Sequence, residues 1–129
     1  MAISGFDHVA INSRDIGKSK NFYSGILGLM TGEIVDMGDS VLHYLRLPDK
    51  SAIELFEHKN RKIYDELQTK DGLVKHFAFR VDNIDELNSK LIKNNVKFEM
   101  DLCVLEPLGV KALLCYDPDG FIVELTQKI

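Results

Sequence analysis

Two histidines and two glutamates stand at corresponding places in the two halves of this chain, and together they offer a donor set that suits a divalent metal. "DHVAIN" at 7–12 aligns with "KHFAFR" at 75–80 under an offset of 68, which sets His8 on His76, Ala10 on Ala78 and Ile11 on Phe79. "LPDKSAIEL" at 47–55 aligns with "DPDGFIVEL" at 117–125 under an offset of 70, which sets Pro48 on Pro118 and Glu54 on Glu124. A carboxylate inside a short apolar strand most often faces water. Its recurrence with a matching histidine calls for another reason.

Strand alternation supplies one. His8 shares a face with Phe6, Ala10 and Asn12, and His76 with Ala78 and Arg80. Glu54 goes with Ala52 and Phe56, and Glu124 with Ile122 and Thr126. The opposite faces carry Val9, Ile11, Phe77, Phe79 and Val81, which suit packing under a helix. A curved sheet would then present His and Glu from a concave face. Carboxylates left unpaired in such a cleft repel one another and resist desolvation, and a cation relieves both costs. Two imidazoles and two carboxylates suit one Zn, Ni, Co, Mn or Fe(II) ion per site. Octahedral coordination leaves two positions for water or substrate.

The elements that must carry these residues also repeat. Each opening strand is followed by a helical stretch, "SRDIGKSKNFYSGILGL" at 13–29 and "VDNIDELNSKLIKNN" at 81–95. Asp15-Ile16 and Asn83-Ile84 mark matching helix starts. Ile84, Leu87 and Leu91 make an apolar stripe in the second, Ile16, Tyr23, Ile26 and Leu27 do so in the first, and Gly28 is a natural stop. Strands "VLHYLRL" and "VKALLCY" then lead into Pro-Asp turns, and Asp117–Gly120 reads as a turn former. The expected fold is α+β, two tandem βαβββ modules in a single domain over 1–129. Module 1 covers about 1–56, a linker with a short helix near Lys62–Leu67 covers about 57–73, and module 2 covers about 74–129.

Composition narrows the function classes. A chain of 129 residues suits one compact domain, and its net charge of −4 argues against a nucleic-acid partner, which wants a basic face. The basic stretch Lys59–Lys62 is flanked by Glu57, Asp65 and Glu66 and reads as a solvated helix or loop. No apolar run approaches the roughly 18 residues of a membrane span, and "MAISGFDHVAI" lacks the features of a signal peptide. Cys103 and Cys115, without CxxC spacing and in apolar surroundings, read as buried thiols in a reducing compartment. The expected location is the cytoplasm.

The stretches "FDHVAINSRDIGKSKNFYSGILGL" (6–29), "AIEL" (52–55), "KHFAFRVDNIDEL" (75–87) and "DPDGFIVEL" (117–125) resemble the vicinal oxygen chelate superfamily over essentially the whole chain. That superfamily includes glyoxalase I, methylmalonyl-CoA epimerase, extradiol dioxygenases, and fosfomycin and bleomycin resistance proteins. The resemblance implies a U-shaped half-barrel with a metal at its base, and its ligand positions fall on His8, Glu54, His76 and Glu124. It also implies a homodimer acting on a small-molecule substrate, with the site formed within one chain or between modules exchanged across the dimer.

The His/Glu/His/Glu quartet most resembles bacterial glyoxalase I, which isomerises a glutathione hemithioacetal. That resemblance implies a lyase or isomerase that stabilises an enolate, with a metal-site glutamate as base. Glu124 is the first choice and Glu54 its near-symmetric rival. Departures from the pattern lie at Asn12, where such enzymes carry arginine, and at His58, where they carry asparagine. Both positions imply substrate contact. Under the repeat Asn12 corresponds to Arg80, so a guanidinium reappears in the second module, able to bind a carboxylate bidentately or to pair with a local Asp. Alternation adds Tyr44, Arg46 and Tyr116 as substrate-binding or rim residues.

Other members fit less closely. The dioxygenase pattern wants a tyrosine where Leu114 stands and a histidine within Val104–Ala112, which has none. An acyl-CoA epimerase commonly has Gln at the position of Glu54. A non-catalytic, resistance-type binding protein is the alternative from a different class.

Overall fold

The computed structural model describes residues 2–67 and 72–129. The chain forms two compact units, Met1–Leu67 and Gln68–Ile129. In the first, β1 (His8–Asn12) leads to the helix α1 (Ile16–Lys20), which continues as a π-helical turn over Asn21–Ile26. Strands β2 (Met30–Asp36), β3 (Ser40–Arg46) and β4 (Ala52–His58) follow, and a 3-10 helix spans Arg61–Glu66. In the second, β5 (Phe77–Arg80), α2 (Ile84–Lys93), β6 (Phe98–Leu105), β7 (Val110–Tyr116) and β8 (Ile122–Lys128) repeat the plan. Each unit is therefore a βαβββ module, and the fold is α+β.

The sheets have the same order, β1-β4-β3-β2 and β5-β8-β7-β6. The first and last strands of each module pair in parallel, the remainder antiparallel. Register matches the sequence repeat: Ala10 faces Glu54, and Ala78 faces Glu124. A one-residue slip would turn each glutamate to the opposite face, so the turns that fix register matter. In the β7–β8 turn the Asp117 carboxylate accepts from the backbone N–H of Asp119 and Phe121, and Gly120 takes the left-handed conformation at φ 86°. At the equivalent β3–β4 turn that conformation falls to Lys50, at φ 74°. A side chain there is strained by roughly 1–2 kcal/mol.

Both helices are capped as their sequences predict. The Asp15 side chain accepts from the N–H of Lys18 at 3.0 Å, and Asn83 accepts from Glu86 at 3.2 Å. The first helix departs from expectation after Lys20. Its backbone bonding shifts to a five-residue step, with the Leu27 N–H donating to the Phe22 carbonyl. That wider turn brings Phe22, Tyr23 and Ile26 all to the interior. They are buried together with Ile11, Leu45, Ile53 and Leu55 in the first unit. In the second unit Ile84 and Leu91 of α2 are buried with Leu113, Val123 and Leu125.

Three boundaries differ in detail from the sequence-based expectation. Strand β4 runs on through His58, so 57–58 belong to the sheet. The short helix is of 3-10 type and buries Tyr64 within the first unit, because the Tyr64 hydroxyl bonds the backbone of His58 at 2.8 Å. His76 lies one residue ahead of β5. Positions 68–71 of the expected linker lie outside the described residues.

Strand β2, at the edge, is exposed along its whole length and includes Met30 and Ile34. It carries an irregularity between Thr31 and Ile34. Gly32 within it permits a close approach, since a Cβ there would stand 3.2 Å from the Tyr44 Cβ and carbonyl oxygen. No described helix is long and apolar enough to cross a membrane.

Candidate metal centre

Each unit brings one histidine against one glutamate. In the first, parallel pairing sets His8 beside Ala52, and Glu54 stands two residues along β4 on the same face. The His8 Nδ1 lies 3.0 Å from Glu54 Oε2. In the second, His76 Nε2 lies 2.8 Å from Glu124 Oε2. The sequence repeat is thus a repeat of contacts.

The two pairs differ in burial and in what surrounds them. The Glu54 side chain is 7% exposed, and His8 beside it 41%. His76 and Glu124 are both half-buried, and the buried Nδ1 of His76 has no hydrogen-bond partner among the described residues. His8 has a second carboxylate, for Asp7 Oδ2 lies 2.7 Å from the same Nδ1. That hydrogen bond is the main cause raising the His8 pKa above its ordinary 6.5; desolvation opposes it, and the charges of Glu54 and Asp7 add to it. Sequence reasoning missed Asp7. The signal was present, since position 7 is acidic where its repeat counterpart, Lys75, is basic.

The other candidates lie on the same sheet faces. Tyr44 faces Glu54 across β3–β4, and Arg46 faces Ala52, so both share the His8–Glu54 face. Arg46 is already engaged: its guanidinium lies 4.8 Å from the centre of the Tyr44 ring and donates to Glu33 at 3.0 Å. Asn12 and His58 meet at the far end of β1 and β4, where Asn12 Oδ1 lies 2.6 Å from His58 Nε2. In the second unit Arg80 faces Thr126, on the face of Glu124. Arg80 is exposed, and no carboxylate among the described residues pairs with it, so the local Asp pairing does not form. Tyr116 shares that face and its hydroxyl donates to the Glu99 carboxylate, the contact of a rim residue.

A third histidine–glutamate contact was also not anticipated. His43, on the core side of β3, is buried and lies 3.1 Å from Glu57 through Nε2. Its Nδ1 has no partner among the described residues. It faces Leu55, away from the His8–Glu54 face.

Residues 5–125 match the model of the Glyoxalase/Bleomycin resistance protein/Dioxygenase superfamily. The chain belongs to that superfamily. The Escherichia coli protein YaeR, itself described as uncharacterized, is 34% identical, with 94% of each chain covered. The glyoxalase family protein from Enterococcus faecalis has a crystal structure that matches with a TM-score of 0.77 at 26% identity, over 98% of this chain and 99% of that one. The fosfomycin resistance protein FosX from Listeria monocytogenes matches in fold, with a TM-score of 0.76 at 20% identity over 98% and 95% of the two chains. The superfamily spans enzymes and antibiotic-resistance proteins, so membership alone does not choose a reaction.

Proposed function

We propose that this chain is a divalent-metal-dependent lyase or isomerase of the glyoxalase I-like type, acting beside a carbonyl on a small substrate such as a hemithioacetal. The observation that carries this reading is the His–Glu contact formed once in each unit at equivalent positions. Two imidazoles and two carboxylates fit Zn, Ni, Co, Mn or Fe(II). The fit is strengthened by Glu54, whose nearly buried carboxylate has His8 as its one close cationic partner among the described residues. His8, Glu54, His76 and Glu124 would hold the ion. When bound, it acts as a Lewis acid toward a substrate carbonyl oxygen.

The chain's own groups supply the remainder. Glu124 takes the proton from the carbon beside the carbonyl and returns it to the neighbouring carbon; its greater exposure than Glu54 favours it over that rival. Arg80, free of any described carboxylate, binds an anionic end of the substrate. Tyr44 lines the same face as Glu54, beside it across β3–β4. Asn12, His58, Arg46 and Tyr116 complete the proposed contacts. The proposal includes a homodimer, for which exposed apolar residues of β2 offer surface.

The alternative is a non-catalytic binding protein of the resistance type, a class that the superfamily also contains. Purified protein loaded separately with Ni, Co, Zn, Mn or Fe(II) and assayed on methylglyoxal with several thiols decides between them. Turnover that is lost on Glu124→Gln supports the isomerase. Metal binding without turnover on any thiol rejects the hemithioacetal reading.

A further inference from the structure

The nitrogen Nδ1 of His8 faces two carboxylate oxygens at once, Asp7 Oδ2 at 2.7 Å and Glu54 Oε2 at 3.0 Å. A ring nitrogen carries at most one proton, and one N–H cannot point along both lines. One carboxylate is therefore always poorly served. The three donor atoms lie within 4.8 Å of one another. Nitrogen and oxygen donors bind zinc at about 2.0–2.2 Å, which sets neighbouring donors around one ion roughly 3 Å apart. The observed separations from Nδ1 are already of that size.

We infer that Asp7, His8 and Glu54 form a three-donor site within the first unit that binds a divalent cation by itself, through His8 Nδ1. This rests on the metal reading above and adds a ligand, Asp7, and a ring nitrogen to it. Glu54 is the fixed member, held on the central part of the sheet and nearly buried. Its charge gains most from a cation, because a buried carboxylate is costly to leave half-compensated. Asp7 is the exposed member: its side chain is 96% exposed, and an exposed ion pair contributes little by itself. A cation in place of the shared proton serves all three donors. The second unit has no counterpart, because Lys75 stands where Asp7 does and contributes no donor to His76.

The test is calorimetric titration of the full chain with zinc chloride, together with nitrogen-15 NMR of the histidine rings. In H76A/E124Q, one zinc per chain still binds, and adding Asp7→Asn weakens it at least tenfold. Zinc shifts the His8 Nδ1 resonance as a ligand nitrogen. Circular dichroism of each variant establishes that it is folded, and the milder pair H76Q/E124Q repeats the titration. Wild-type binding with none in either double variant, an Asp7→Asn effect below twofold, or zinc on His8 Nε2 would overturn the inference while leaving the metal reading standing. A wild-type protein that binds no zinc, nickel, cobalt or manganese would overturn both.

Discussion

Glu54 and His8 touch at 3.0 Å across β1 and β4, yet one is nearly sealed from water and the other is open to it. An ion pair of that kind is a poor source of stability, because desolvating the carboxylate offsets much of the attraction. Glu54→Leu is expected to stabilise the metal-free protein by roughly 1 kcal/mol while abolishing metal-dependent stabilisation. Urea denaturation with and without metal checks both halves; a less stable metal-free variant would contradict the account.

Arg80 is the exposed guanidinium on the Glu124 face. A charge-assisted bond to substrate contributes about 1.5–3 kcal/mol. Arg80→Ala should therefore raise KM for a carboxylate-bearing substrate at least tenfold, leaving metal affinity within twofold. Arg80→Lys should recover little of the loss, since an ammonium lacks the planar fork. Steady-state kinetics beside metal titration separates these effects, and an unchanged KM would remove Arg80 from the site.

The strained turn gives a prediction independent of function. Lys50 holds the left-handed conformation that Gly120 holds in the second module. Lys50→Gly should stabilise the protein by about 1 kcal/mol and raise Tm by a few degrees, and Gly120→Ala should do the reverse. Calorimetric melting reads both.

The paired modules and the faces of the four candidate ligands were legible in the sequence because two periods coincide. Strands alternate every two residues, and the offsets of 68 and 70 preserve that parity, so His76 and Glu124 had to fall as His8 and Glu54 do. Capping chemistry at Asp15 and Asn83 was legible for the same local reason. The π-helical turn was not, because apolar residues at 22, 23, 26 and 27 suit either bonding step until packing against the sheet chooses. Asp7 escaped because alternation points neighbouring strand residues apart, whereas Asp7 lies just ahead of β1 and is released from that rule. The His43–Glu57 contact lies diagonally across β3 and β4, and only the register reveals it.

Both cysteines are free, and they should differ sharply in reactivity. Burial, with a smaller contribution from the charge of Asp117, pushes the Cys115 thiol from 9.0 up to about 12. At pH 8 a thiol reagent should modify Cys103, which is half-buried, and reach Cys115 only after denaturation. The raised folded value means this group's contribution to stability is full below pH 9.0 and is lost as pH climbs toward about 12, where Cys115→Ala should prove more resistant. Rapid native labelling of both thiols would contradict the buried placement.

Zinc titration of the wild-type chain beside the variant H8A/E54Q/H76A/E124Q tests the central claim most directly. The account predicts one ion per wild-type chain and none for the folded variant. Equal binding by the two, or no binding by the wild type to zinc or to nickel, cobalt or manganese, would contradict it.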